Sequence, residues 1–469
     1  MWQMIQNEWR YLSRTRLLLG ISLGFLVLLI ATLVMGKLQL QQKQASYEAA
    51  KEHLREQWES IDAMNPHGAA HYGTYVFKPA HVLNSLDEGV GSITGNVLRV
   101  EGHVQNEMVH SEASQMQTIS RFGKLTSGLL LKYVVPLLLI FLAFSSMSNE
   151  KQSGRLTLLI LQGTNPLPLV LAKCLSIWLY GLGLLALVIG INGLLHVSQL
   201  SGEVVQRLGL FFLVYALYYF VITGLTTFLS ARWQDATLAL TTMLGIWMLW
   251  TVFLPNVLLS SVEKWHPLPS RNEFKSAMKT DRAQGLDGHN PADERSKSLE
   301  EATLAEYGVD SLSQLPINFD GLLMQADEEY GNQVWDKHFG QLREVITQQK
   351  RSLQMGGFVN PFLSLQNASM GFAASDNFHH QDFLVQVETY RRDFIKTLND
   401  EHAFGGSATG DWGWEANNDF YRSVPDFSYE PTRLASVLPA YLMDVGLLIL
   451  WAFATLALLI FGTPKRQLT

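Results

Sequence analysis

Hydrophobic positions in this 469-residue chain gather into six long runs, separated by stretches in which polar and apolar positions alternate. The runs are Leu17–Gly36, Leu125–Met147, Cys174–Leu195, Leu208–Leu229, Ala236–Leu254 and Val437–Gly462. Each is long enough for a helix to cross a hydrocarbon core about 30 Å thick. Backbone groups find no water in lipid, so helices satisfy them internally, and the runs predict six transmembrane helices. The first run exceeds the apolar stretch of a secretory signal and no small-x-small cleavage site closes it. The pattern therefore predicts a mainly α, polytopic membrane protein.

The polar stretches orient the runs. Lys and Arg in short connections stay on the cytoplasmic side. This rule puts both termini inside, together with the 148–173 connection carrying Lys151, Arg155 and Lys173, and the turn Ser230–Asp235. Met1–Arg16 spaces Trp2, Ile5, Trp9 and Leu12 as one face of a helix beside Arg10 and Arg14, which predicts an interfacial helix at the inner surface. The tail 463–469 carries Lys465 and Arg466. Three segments fall outside: an insertion at 37–124, a short loop at 196–207 whose one cation is Arg207, and a large domain at 255–436.

Within the first insertion, Gln41–Ile61 is rich in helix formers and is expected to prolong the first span as a stalk. His71–Val100 reads as loops with short strands, and Glu101–Lys124 as a helix entering the second span. Pro136 is expected to kink that span, and Pro255-Asn256 to end the fifth. In the large domain, helices are expected at Ser270–Ala283, Ala292–Tyr307, Asp320–Met355, Pro361–Phe372 and Phe378–His402, before a loop rich in Gly, Asn and aromatics at Phe404–Pro431. A segment of this length is expected to bury a core of its own.

Composition sharpens the class. The chain is 48% hydrophobic and 16% charged, with net charge -7 and pI about 6.0. That balance fits spans joined to aqueous domains and argues against a nucleic-acid binder, which would carry a basic stripe. Residues 260–433 hold a surplus of about ten acidic over basic side chains, whereas the short inner pieces are basic. A single cysteine, Cys174, excludes a disulfide within the chain.

Candidate chemistry is sparse. No Gly-rich phosphate loop with a following Lys and Ser or Thr is present, so the chain carries no ATP site of that kind. His67 and His71 are four apart, but Asn65-Pro66 before them and Gly68 between them argue against a regular helix presenting both imidazoles to one ion. His379 and His380 are adjacent and would point about 100° apart on a helix. No metal site is expected. Lys132 and Asp444 lie near the outer ends of the second and sixth runs, where they either snorkel to water or pair as a latch at the rim. Tyr215, Tyr218, Tyr219, Thr223, Thr226 and Thr227 give the fourth run a semi-polar side, for helix contacts or a substrate path. Gly20 and Gly24 form a small-xxx-small pair suited to close helix packing, in a dimer or within one subunit.

The inner connection between the second and third runs is the most informative stretch. In Asn149–Lys173, Leu156, Leu159, Ile160 and Gly163 share one helical face, with Gln152, Arg155 and Gln162 off it, and Gly163-Thr164-Asn165-Pro166 is turn chemistry. An acidic residue after the second run (Glu150), the pair Ser153-Gly154 opening an apolar run, a Pro-containing turn (Pro166) and a Lys at the foot of the third run (Lys173) resemble permease subunits of the type-2 ABC transporter family. Arg155, where that pattern has Thr, and the missing cation after Pro166 depart from it. AHYGTYVFKP (Ala70–Pro79), NPFLSLQNAS (Asn360–Ser369), HHQDF and YRRDF resemble the subgroup with a large extracytoplasmic domain.

The resemblance implies that the elbow holds a coupling helix, with Glu150, Ser153, Gly154, Arg155, Gly163, Pro166 and Lys173 as its coupling residues. It implies docking on a separate cytoplasmic ATP-binding subunit, which would hold ATP and Mg, with no cofactor on this chain. It further implies a homodimer or a heterodimer with a second permease, export across a bacterial inner membrane, and room for a periplasmic partner. A membrane-anchored receptor or hydrolase working through its outer domain is the competing expectation.

Overall fold

The computed structural model describes residues 2–14, 16–106, 126–163 and 165–463. The expected helix over Glu101–Lys124 lies mostly outside the described residues, as do Thr164, Lys465 and Arg466.

Among the described residues, six helices are long and apolar enough to cross a membrane: Gly20–Glu59, Ser127–Gln152, Pro166–Leu195, Gly202–Arg232, Ala236–Trp265 and Leu434–Gly462, called spans 1 to 6. Spans 2 and 4 form the buried centre, while spans 1, 5 and 6 leave most of their apolar surface open. Span 1 belongs to one helix, Arg16–Glu59, of 44 residues. At 1.5 Å per residue it is about 66 Å long, so roughly half projects beyond a 30 Å hydrocarbon layer as the expected stalk. The amphipathic helix Trp2–Arg14 packs along span 3, where the Trp9 indole N–H donates to the Ser176 carbonyl at 3.1 Å.

In spans 2 and 5 a widened turn precedes the proline. Residues Leu130–Val134 form a π-turn directly before Pro136, and Leu249–Phe253 another directly before Pro255. The wider turn absorbs the register that proline's missing N–H and ring would disturb. Span 5 therefore runs through Pro255 to Trp265 instead of ending there.

The polar residues build a domain at the opposite end of the bundle from the elbow. Its helices are α1 (Pro66–Tyr72), α2 (Arg271–Gln284), α3 (Ala292–Tyr307), α4 (Phe319–Met355), α5 (Pro361–Phe372) and α6 (Asn377–Phe404). Among the described residues, four short strands pair as two antiparallel ribbons: β1 (Ala63–Met64) with β4 (Ala416–Asn417), and β2 (Thr74–Phe77) with β3 (Val97–Val100). Two expectations are revised here. First, the large insertion buries only a small core of its own, around Leu315, Ile317 and Phe319, and its larger core is shared: Trp58, Ala69, Val76 and Val100 of the first insertion pack with Phe383, Phe394, Leu398 and Tyr421 of the second. Second, α1 is a helix because Asn65 accepts the His67 N–H at 2.9 Å and Pro66 occupies the first turn, where its missing donor costs nothing. His67 and His71 thus do share a helical face.

The helix α5 turns away from the rest of that domain and into the bundle. It packs against spans 4 and 6, and Phe362, Leu365, Ala368 and Phe372 are buried in the core of the bundle. The Asn360 side chain accepts the Phe362 N–H at 3.1 Å and donates to the Trp250 carbonyl at 2.8 Å, capping α5 against span 5.

Candidate functional site

At the elbow end, span 2 unwinds over Phe144–Met147 and regains helix at Ser148–Gln152. Both Met147 and Ser148 donate their backbone N–H to the Ser230 hydroxyl oxygen, at 3.0 and 3.1 Å, binding this turn to the end of span 4. The continuous amphipathic helix suggested by the sequence is broken at Ser153-Gly154: Gly154 has φ 70°, the left-handed region that favours glycine. A second helix, Arg155–Leu161, follows and ends before Gly163, at φ 84°. Asn165 then accepts the Leu167 N–H at 3.0 Å and Pro166 takes the first turn of span 3.

Only one side of the elbow helix is buried. Leu156 packs with Met147, Val170, Cys174 and Ala231, whereas Leu158 is 60% and Leu161 76% exposed. Beneath it lies a charged tie. Lys173, nearly buried, reaches Glu8 at 2.7 Å and Glu150 at 3.2 Å, and Arg155 approaches Glu150 at 3.5 Å. Lys151 donates to the carbonyls of Ala231 and Trp233, joining the elbow to the span 4–5 turn. Glu150, Arg155 and Lys173 are thus brought into one cluster, Ser153 accepts the Arg155 Nε–H at 3.0 Å, and Gly154, Gly163 and Pro166 shape the turns around it. Glu8 was missed: it stands 165 residues from Lys173, and nothing in its local spacing signals the pairing.

At the domain end, Lys132 and Asp444 do not pair. Lys132, inside the span 2 π-turn, binds Asp87 of the first insertion at 2.6 Å, and Asp87 also accepts the Ser369 hydroxyl of α5 at 2.5 Å. Asp444 instead accepts the Gln354 amide at 2.7 Å and the Asn367 amide at 3.4 Å. The reason is α5, whose Ser369 and Asn367 take up the polar groups of spans 2 and 6. Tyr215 lies 2.9 Å from Ser369, and Tyr219 donates to the Leu131 carbonyl at 2.9 Å, so these span 4 tyrosines serve helix contacts.

Arg207, whose position ran against the charge rule, is fully buried. It donates to the carbonyls of Thr432 at 2.7 Å and Gly371 at 3.3 Å, and pairs with Glu203 at 3.1 Å. Nearby, Asp376 binds His379 at 2.6 Å, Lys350 at 3.4 Å and the Tyr441 hydroxyl. Burial would raise the Asp376 carboxyl, but the bond from His379 and the charges around it hold it well below the usual carboxylate range. His379 and His380 diverge as expected of neighbours, His380 meeting Lys78 at 3.1 Å. Beside this junction, a cavity of about 370 Å³ opens between the stalk and the first insertion, lined by Met35, Gln39, Lys43, Lys78, Asn84 and Ser127.

Residues 34–270, just over half of the chain, match the family described as ABC-2 family transporter protein. The chain belongs to that family. It is a multi-pass membrane permease, and membership implies partnership with an ATP-binding subunit. Residues 271–430 match a second family, a domain of unknown function (DUF3526), beginning at the first residue of α2. The boundary between the two matches cuts through the shared domain core, since Trp58 and Val100 fall in one and Phe383 and Tyr421 in the other. No curated protein and no solved structure matches the chain.

Proposed function

We propose that this ABC-2 permease is the membrane subunit of an ATP-driven exporter of a bacterial inner membrane, with its elbow and termini in the cytoplasm and its polar domain outside. A separate ATP-binding subunit seats the elbow helix. The observation that carries this reading is the contrast within the elbow: Leu158 and Leu161 stand exposed at its tip, while Glu150, Lys173 and Glu8 clamp its base to span 3 and the N-terminal helix. A tip that offers apolar contact and a base that cannot slip together convert docking into movement of spans 2 and 3.

Span 2 then carries the movement to its far end, where the π-turn holds Lys132 against Asp87. Helix α5 ties the polar domain to spans 4 and 6, so the domain moves with the bundle or restrains it. This tie favours the coupled permease over a membrane-anchored receptor or hydrolase, whose domain would need no grip on the spans. A Cβ added to Gly20 or Gly24 would meet nothing within 4 Å among the described residues, which leaves room at that face of span 1 for a second permease, identical or related.

The test is co-purification from mild detergent. The tagged chain is expected to retain an ATPase, and Leu158→Asp with Leu161→Asp to lose it while thermal stability shifts by less than about 0.5 kcal/mol, as for exposed sites. Full ATPase retention by the double variant would sink the reading.

A further inference from the structure

We propose that His67, His71 and His103 form a divalent transition-metal site on the polar domain. Their ligand atoms all lie within 4.8 Å of one another. His67 and His71 sit one turn apart on α1, with their Nε2 atoms 3.2 Å apart. Two imidazoles bound to one tetrahedral zinc at about 2.0–2.1 Å would hold their nitrogens about 3.3 Å apart. The first two ligands therefore already stand at the spacing the ion requires.

The third ligand is held for the purpose by a separate element. His103 follows β3 with φ 63°, a left-handed conformation unusual for a residue other than glycine. Glu328 of α4 holds it there: one carboxylate oxygen accepts the His103 backbone N–H and lies 2.8 Å from its Nδ1. Arg391 of α6 fixes that carboxylate in turn, at 3.0 Å. With Nδ1 engaged, Nε2 is the nitrogen left to His103 for an ion. A carboxylate on the far nitrogen of a ligating imidazole sets its tautomer and orientation, and is a regular outer partner of metal-bound histidine. Trp412 lies edge-on to His67 and covers one side, while His71 is exposed and leaves an approach from solvent.

The donor set selects the metal. Three imidazoles without thiolate suit zinc, copper(II) or nickel over calcium or magnesium, which take oxygen ligands. Three protein ligands leave a further position open, the arrangement of an exchangeable rather than a closed structural site. The ion would join α1 to the segment after β3 and, through Glu328, to α4, so its binding would tighten the seam between the two insertions.

The experiment uses the full chain in detergent, purified through a tag without histidines and stripped with chelator. It is titrated with Zn²⁺ by calorimetry and with Co²⁺ by visible absorbance. The expected result is one ion per chain with a tetrahedral-type cobalt spectrum, lost in His71→Ala and His103→Ala and retained in the stalk control His53→Ala. Glu328→Gln is expected to weaken binding roughly 10- to 100-fold. His71 is exposed, so its removal leaves the fold intact and keeps the test decisive. The proposal is overturned if the parent chain takes up no ion, the His67–His71 contact then being a hydrogen bond alone, or if His71→Ala binds Zn²⁺ as tightly as the parent.

Discussion

The two ends of the bundle are built on opposite principles. At the domain end, charges are buried and each is bound several times: Asp87 to Lys132 and Ser369, Arg207 to Glu203 and two carbonyls, Asp444 to Gln354 and Asn367. At the elbow end, the charged tie lies beneath a short helix whose tip leaves leucines in the open. A buried ion pair adds little stability when formed but costs much when broken on one side, so it resists partial rearrangement. An exposed apolar tip costs little and gains when covered. One end is therefore suited to hold a geometry and the other to receive a partner.

Removing one half of a buried pair gives the largest expected effect. Asp87→Ala leaves Lys132 charged and unpaired, and is expected to cost about 3–5 kcal/mol. Thermal unfolding followed by tryptophan fluorescence should show it, and Asp87→Leu combined with Lys132→Met should restore most of the loss. If Asp87→Ala is as stable as the parent, the domain end is not locked as described.

Glycine substitutions compare the ends directly. A Cβ on Gly371 would lie 2.2 Å from the Tyr441 ring, so Gly371→Ala is expected to cost about 1–3 kcal/mol by overpacking. A Cβ on Gly154 meets nothing within 4 Å, and only its φ of 70° resists, so Gly154→Ala should cost about 1 kcal/mol. Equal losses at the two sites would erase the contrast between a packed end and an open one.

Acid should loosen the domain end by a smaller, graded amount. The His81 side chain accepts the Leu83 N–H through Nδ1 at 3.2 Å, which needs a neutral ring. Burial, then the charges of Arg207 and His379, push it down to about 4, against the raising effect of Glu203. His380, by burial and then the Lys78 charge, is also pushed to about 4. Both rings are neutral in the folded chain and protonate in the unfolded chain near pH 6.5. Their contribution is therefore complete above about pH 6.5 and is lost as the pH falls towards 4. Melting temperatures measured at pH 7.5 and 5 should differ in the parent and differ less in His81→Gln.

Much of the fold is legible in the chain. Span number follows from length and hydropathy, and the helices α2 to α6 begin within a residue or two of their expected starts, because capping residues such as Ser270, Asn360 and Asp376 act on groups two or three positions away. The turn that closes the elbow was legible for the same reason, through Gly163 and Pro166, whereas the break at Gly154 was not. Legibility fails where partners are distant. Glu8 with Lys173, Asp87 with Lys132 and Glu328 with His103 join residues far apart in the chain, and no periodicity reports such pairings.

Local composition by itself determined the spans, the stalk and the caps, because backbone hydrogen bonding and burial of apolar runs depend on near neighbours. Only the tertiary structure decided that α5 enters the bundle, that both insertions share one core, and that three histidines meet beside a carboxylate. Those outcomes depend on which surfaces remain uncovered after the helices have formed, a property of the assembled chain and not of any one segment.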